Sequence, residues 1–119
     1  MRTRSAVLAA GLLALLFGSG PALGHQDYPL KTFTLSAREC AFNPTRIEVA
    51  YLDRVRITLV AEDRPHSLAI ETYRVCKIAT VGHPATVEFL ADRAGTFKYF
   101  SDLSSDSHCV GMQGQLVVR

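Results

Sequence analysis

Short runs of alternating polar and apolar residues constrain the fold of this chain more than any other feature of its sequence. The runs are rich in Val, Ile, Thr, Phe and Tyr, which is the pattern of β-strands with one buried face. Turn-forming pairs such as Asn43-Pro44 and Asp53-Arg54 separate them at intervals of about ten residues. The runs cover residues 32–36, 46–50, 55–60, 66–71, 85–90, 95–100 and 115–119. Because no stretch has helical periodicity, the sequence predicts an all-β protein, an antiparallel sandwich or barrel of seven to eight strands.

The composition sets the number and the class of the domains. A chain of 119 residues has room for one compact domain rather than two. Hydrophobic residues make up 48% of the chain and charged residues 20%, which is too apolar for a disordered protein. The sequence therefore predicts a single folded β domain.

The N-terminal segment has the three-part layout of a secretory signal peptide. Arg2 and Arg4 precede an apolar run over residues 6–17, and Ala22-Leu23-Gly24 has the small residues of a cleavage site. We therefore predict a signal peptide over residues 1–24 and a domain over residues 25–119, with His25 as the first residue after cleavage. Neither this run nor any later one reaches the roughly 20 residues that a membrane-spanning helix needs. The expected location is the periplasm or another exported compartment, without membrane insertion after cleavage.

The balance of basic and acidic residues argues against anionic partners such as nucleic acid or an anionic membrane. Removal of Arg2 and Arg4 leaves 11 basic residues against 11 acidic ones. A chain without excess positive charge has no electrostatic attraction to phosphate backbones or anionic lipids. We therefore expect neither nucleic acid nor a membrane surface as partner.

The three cysteines, Cys40, Cys76 and Cys109, form an odd set in a chain expected in an oxidising compartment. At most one internal disulfide can form, and counting alone allows each of the three pairings. The remaining sulfur is then buried, paired between chains or bound to a metal. For Cys76, at the expected end of a strand, the simplest interpretation is a small buried apolar side chain.

Residues 101–114 interrupt the strand pattern with a long polar loop that contains His108, Cys109 and Met112. Imidazole, thiolate and thioether are together a ligand set suited to copper. His66, which opens an earlier strand, could meet this loop at one end of a sandwich. Each residue also has another interpretation: Cys109 as a disulfide partner or inert thiol, Met112 as part of the core, and His66 as a surface residue. His108 points away from its neighbour Cys109 in an extended chain, which favours a solvent-facing position.

From residue 41 to residue 119 the sequence resembles an exported cupredoxin. Four motifs carry the resemblance, in this order: Phe42-x-Pro44-x-Arg46-Ile47-x-Val49, Asp63-x-Pro65-His66-Ser67-x-x-Ile70, Ala91-Asp92-Arg93-Ala94-Gly95-Thr96-Phe97-x-Tyr99 and Gly111-Met112-x-Gly114-x-Leu116-Val117-Val118. The resemblance implies a cupredoxin-like Greek-key β-sandwich that binds copper.

The ligand loop departs from two branches of that family. Aligned on Met112, the dinuclear copper domains of cytochrome oxidase subunit II and nitrous oxide reductase have Cys, Cys and His where this chain has Ser101, Ser105 and Cys109. A plastocyanin-like alignment places Ser104 and Ser107 at the Cys and His ligands. Only His66 and Met112 match the ligands in both alignments, so the resemblance implies neither a dinuclear centre nor an ordinary blue copper site.

A third branch, the cupredoxin-like domain of periplasmic iron-uptake proteins of the EfeO type, is more similar. Its members have a cysteine shortly before the proline of the first motif, which corresponds here to Cys40 before Pro44. The resemblance implies that Cys40 and a loop cysteine, Cys109, act as copper ligands in metal oxidation.

These observations lead to one expected function and two alternatives. The expected function is a periplasmic copper-binding protein, for one-electron transfer or for metal oxidation linked to iron or copper uptake. Its atypical mononuclear site would use His66, Cys109 and Met112, with Cys40 and His108 as further ligands, and its partner would be an exported or inner-membrane redox or metal-transport protein. The alternatives are a metal-free structural or binding module and a Cu(I) chaperone. No motif of a hydrolase, phosphate-binding loop or zinc protease is present.

Overall fold

The computed structural model describes residues 27–103 and 109–119. They form nine β-strands and one short 3₁₀ helix, Glu71–Tyr73, between the fifth and sixth strands. The strands are β1 Leu30–Arg38, β2 Ala41–Asn43, β3 Arg46–Val49, β4 Arg54–Ala61, β5 His66–Ile70, β6 Val75–Ala79, β7 Ala85–Leu90, β8 Gly95–Phe100 and β9 Gln113–Val118. The all-β prediction is confirmed, with nine strands in place of seven to eight.

The strands form two sheets that enclose one core. One sheet has the order β2-β1-β4-β7 and the other has the order β3-β9-β8-β5-β6. Each sheet turns one face to the core because successive side chains of a strand point to opposite faces. In β4, for example, every second residue from Val55 to Ala61 is buried. The described part of the chain contains no helix with the length and apolar content needed to cross a membrane.

The prediction of an antiparallel architecture is wrong for two strand pairs. β1 lies parallel to β4, and β3 lies parallel to β9. The chain passes repeatedly from one sheet to the other, so a strand can return beside an earlier one in the same direction. Alternation indicates which face of a strand is buried but not which strand lies beside it.

The two additional strands, β2 and β6, both lie at the edge of a sheet. β2 has three residues, and β6 exposes its three central residues, Cys76, Lys77 and Ile78. β2 is too short to show alternation over several residues, and β6 has three exposed residues in succession, which explains why the pattern did not predict them.

Tyr99 fastens β8 to the β2–β3 connection. Its ring is fully buried, and its hydroxyl donates to the carbonyl oxygen of Pro44 over 2.7 Å. Burial raises the pKa of Tyr99 to about 12. Gly114 in β9 faces this ring so closely that any Cβ atom at position 114 would overlap it. Packing of the Tyr99 ring against β9 therefore requires a glycine at position 114.

Candidate functional site

His66, the first residue of β5, is fully buried. Its Nε2 lies 2.8 Å from Oδ1 of Asp63, in the turn that leads into the strand. Its Nδ1 is buried and has no hydrogen-bond partner among residues 27–103 and 109–119. A buried nitrogen without a partner is costly, so this atom is the feature of the site that most needs an explanation.

Asp63 determines which nitrogen of His66 carries the proton. Its Oδ2 accepts the amide N–H of Glu39 over 2.8 Å, while Oδ1 accepts from the His66 ring. These contacts, the Glu39 amide first and the His66 ring second, lower the pKa of Asp63 to about 2. An ionised carboxylate only accepts, so the proton of a neutral His66 ring is assigned to Nε2, and Nδ1 presents a lone pair.

Glu39 and Cys40 form the two-residue turn between β1 and β2, where Arg38 pairs with Ala41. Their φ angles are +53° and +60°, the left-handed values of a type I′ hairpin turn. Asn-Gly is the usual sequence at such a turn, and each residue with a Cβ costs about 1–2 kcal/mol there. The bond from Glu39 to Asp63 holds this turn in place, and through Asp63 it joins the Cys40 turn to the His66 ring.

A disulfide links Cys40 to Cys109, whose Cα atoms are 4.8 Å apart. Of the three pairings that counting allowed, the structure contains this one. Cys109 is 5% exposed and belongs to the hydrophobic core, whereas Cys40 is partly buried at its margin. The bond thus fastens the loop that follows β8 to the β1–β2 hairpin.

Met112 lies in the same turn as Cys109. Its N–H donates to the Cys109 carbonyl oxygen over 3.2 Å, and its own carbonyl oxygen accepts from the Ser101 N–H over 3.3 Å. Gly111, with φ of +86°, allows the turn between them. The Met112 side chain is 4% exposed and packs in the core. His108 lies outside the described residues.

Successive contacts connect the other four residues predicted as ligands. Asp63 joins His66 to the turn that contains Cys40, the disulfide joins Cys40 to Cys109, and a backbone hydrogen bond joins Cys109 to Met112. Metal binding by His66, Cys40, Cys109, Met112 and His108 stays a prediction.

Sequence reasoning missed a polar cluster on the outer face of β5, formed by Ser67, Ser101, Asp102 and Cys76. The Ser67 hydroxyl donates to Asp102 Oδ1, and the Asp102 N–H donates to the Ser67 hydroxyl oxygen, both over 2.7 Å. Ser67 N–H also donates to the Ser101 hydroxyl oxygen over 3.2 Å. These bonds fasten the start of the loop to β5. The only signal in the sequence was Ser67 next to His66.

Cys76 is exposed, so the interpretation of this residue as a buried small side chain is wrong. β6 is an edge strand, and Cys76 Sγ lies 3.6 Å from Asp102 Oδ1. Partial burial and the Asp102 charge, in that order, raise the pKa of the Cys76 thiol. Its thiol is therefore protonated at neutral pH and a poor nucleophile.

The donor atoms fit a soft metal ion in one respect. A histidine that binds a metal through one nitrogen commonly donates from the other to a carboxylate, which is the arrangement of His66 and Asp63. The described residues contain no group of three or more His, Cys, Asp or Glu side chains that could hold a metal ion. With the disulfide closed, His66 Nδ1 and the Met112 thioether are the remaining described donors among the predicted ligands.

Comparison with known proteins agrees with the fold. The model of the cupredoxin-like domain family matches residues 7–118. Among solved structures, the chain is similar to auracyanin A, a "blue" copper protein from Chloroflexus aurantiacus. The identity is 19%, the TM-score is 0.63, and the match covers 76% of this chain and 99% of auracyanin A.

Two larger proteins contain a similar fold. One is a heme-copper terminal oxidase, with 20% identity and a TM-score of 0.66 over 75% of this chain and 65% of the oxidase chain. The other is copper nitrite reductase from Nitrosomonas europaea, with 22% identity and a TM-score of 0.62 over 75% of this chain and 41% of the reductase chain. This chain thus spans less than two thirds of either.

A search of curated protein sequences gives no match. On the extent of the family match, this chain belongs to the cupredoxin-like domain family.

Proposed function

We propose that this chain is an exported copper-binding protein with an atypical mononuclear site. One observation carries the proposal: Nδ1 of His66 is fully buried, has no hydrogen-bond partner among the described residues, and presents a lone pair when the ring is neutral with its proton on Nε2, beside Asp63. A metal ion would satisfy this atom. The fold, which is related to that of blue copper proteins, makes copper the expected ion.

The proposed ligands are His66 through Nδ1, Met112 through its thioether sulfur, and the thiolates of Cys109 and Cys40. Soft sulfur atoms with an intermediate imidazole favour copper over hard cations such as Mg²⁺ and Ca²⁺. The His66 ring cannot turn freely, because Asp63 fixes it on one side and the core encloses it. His108 is a further candidate ligand from the same loop.

Bound copper would supply one-electron chemistry by exchange between Cu(I) and Cu(II). The protein's part is to hold the ligands in one arrangement in both oxidation states, which reduces the reorganisation that accompanies electron transfer. Asp63, the β1–β2 hairpin and the buried Met112 serve this purpose. We assign the protein to one-electron transfer or to metal oxidation linked to iron or copper uptake, with an exported or inner-membrane redox or metal-transport protein as partner.

Copper stoichiometry with a matched pair of histidine variants tests the proposal. The purified protein, treated with a reductant that is then removed, should bind one copper ion per chain by metal analysis. His66→Gln should abolish this binding, while His83→Gln, in an exposed turn, should leave it unchanged. Circular dichroism checks that both variants are folded before their copper content is compared. Full copper binding by folded His66→Gln would refute the site.

The Cys40–Cys109 disulfide favours a second candidate, a metal-free structural module. In that case the bond only staples the loop to the hairpin, and copper stays well below one per chain after reconstitution. The third possibility, a Cu(I) chaperone, predicts tight Cu(I) binding without a stable Cu(II) form. Reversible one-electron cycling in voltammetry distinguishes a carrier from both.

A further inference from the structure

The disulfide withdraws two of the four proposed ligands from the site. Cys40 and Cys109 are bonded to each other, and disulfide sulfurs have no negative charge. The thiolate is the form of cysteine that binds metals. The oxidised chain therefore offers only imidazole and thioether among the described ligands, whereas the reduced chain adds two thiolates.

Both ends of the disulfide are anchored without it. On one side, the pairing of β1 with β2 and the bond from the Glu39 N–H to Asp63 hold the turn that contains Cys40. On the other side, Met112 is buried and bonded to the carbonyl oxygen of Cys109. Opening the S–S bond thus leaves the two sulfurs held near each other, as a preformed metal site requires.

The two sulfurs differ in access. Cys109 is 5% exposed, whereas Cys40 is only partly buried at the tip of the hairpin. Thiol–disulfide exchange requires a thiolate to reach one of the sulfurs along the bond. An external thiol therefore reaches Cys40 first, and Cys109 is the leaving group.

We propose that the Cys40–Cys109 disulfide is a reversible gate on the copper site: closed, it keeps Cu(I) affinity low, and opened by an external dithiol, it creates a high-affinity Cu(I) site with His66 and Met112. This inference rests on the proposed function and adds its regulation. The partner that opens the gate is defined by its chemistry, as a dithiol accessible to an exported protein.

The exchange balances in two steps. One thiolate of the dithiol attacks Sγ of Cys40, a mixed disulfide forms, and Cys109 leaves as a thiolate. The second thiol of the dithiol, as a thiolate, then attacks the dithiol's first sulfur in the mixed disulfide, which closes the dithiol's own disulfide and releases Cys40 as a thiolate. Two electrons pass to the protein, two protein thiols form, and the dithiol leaves as its disulfide. The protein thiols give up their protons when Cu(I) binds.

Linkage makes the gate reciprocal. If Cu(I) binds the reduced form more tightly than the oxidised form, bound Cu(I) must shift the equilibrium between the two forms towards the reduced one by the ratio of the two affinities. Copper would therefore protect the two thiols from oxidation and alkylation. A disulfide that only staples the loop predicts no such protection.

Cu(I) titration of matched redox forms tests the gate. On a Cys76→Ser background, only Cys40 and Cys109 can change redox state. Both forms are titrated without oxygen with Cu(I) against a chromophoric Cu(I) chelator. We expect one Cu(I) per chain in the reduced form and at least about 100-fold weaker binding in the oxidised form. Loss of a hydrogen-bond partner of a metal ligand already lowers metal affinity about 10- to 100-fold, and loss of two ligands should lower it more. Iodoacetamide labelling, read by mass, should add two groups to the reduced apoprotein and none to its Cu(I) form.

A Cys40→Ala/Cys109→Ala variant on the same background is the control, because its Cu(I) affinity must not respond to reductant. Equal Cu(I) affinity of both redox forms of the intact pair would overturn the gate while leaving the copper site in place. Absence of Cu(I) binding in both forms would overturn the proposed function as well.

Circular dichroism during the titration covers the case in which the reduced apoprotein unfolds. Recovery of the β spectrum with one equivalent of Cu(I) would support the gate. A chain that stays unfolded at saturating Cu(I) would overturn it.

Discussion

The Cys40–Cys109 disulfide should contribute a large part of the stability of this domain. It closes a loop between residues separated by 69 positions in the chain. In the chain-entropy description, a crosslink of this span stabilises the folded state by about 4 kcal/mol at 25 °C. Domains of this size are stable by about 5–15 kcal/mol in total. Replacement of both cysteines by serine should therefore lower the free energy of unfolding by about 4 kcal/mol and leave a marginally stable protein.

Urea denaturation followed by circular dichroism measures this effect, since the chain has no tryptophan for fluorescence. The comparison is between Cys76→Ser with the disulfide intact and the same background with Cys40→Ser and Cys109→Ser. Cys76→Ser alone should change the free energy of unfolding by less than about 0.5 kcal/mol, because the residue is exposed. The dependence on urea should become steeper without the crosslink, since the unfolded chain is then less compact. A loss below about 1 kcal/mol would refute the loop-closure argument.

Three further predictions concern other parts of the fold. Gly114→Ala should lower the free energy of unfolding by about 1–3 kcal/mol in urea, because its Cβ would overlap the buried ring of Tyr99. Since burial raises the pKa of Tyr99 to about 12 from 10 in the unfolded chain, its contribution to stability is complete below pH 10 and is lost as the pH rises towards 12. Melting temperatures between pH 9 and 12 should show this loss, and Tyr99→Phe should reduce it. Iodoacetamide should label the Cys76 thiol slowly at pH 8, and Asp102→Asn should speed the reaction, because it removes a charge that raises the pKa of that thiol. A rate unchanged by Asp102→Asn would contradict this assignment.

The sequence predicted those strands that have one covered face. The observed bounds of β7 and β8 are the predicted ones, because both alternate regularly and end at a turn. β2 was missed because it has only three residues, and β6 because three successive exposed residues interrupt its alternation. The parallel pairs could not be predicted from the pattern, because side-chain alternation is the same for either direction of the neighbouring strand.

At the candidate site, the sequence indicated the residues but not their bonding. His66 followed from its motif, whereas the role of Asp63 depends on a hydrogen bond to Glu39, 24 residues earlier in the chain. The choice among the cysteine pairings required the fold, because Cys40 reaches Cys109 from a turn whose sequence, Glu-Cys, does not favour the left-handed backbone it adopts. Tertiary contacts override local preference at this turn.

The position of β9 has a consequence for biosynthesis. β9 lies inside the five-stranded sheet, between β3 and β8, so β3 joins that sheet only through β9, whereas β8 can already pair with β5. A nascent chain on the ribosome thus cannot attach β3 to this sheet until synthesis has passed residue 118, and pairing between such distant segments is slow to form. Completion of this sheet should accordingly wait until β9 has left the exit tunnel.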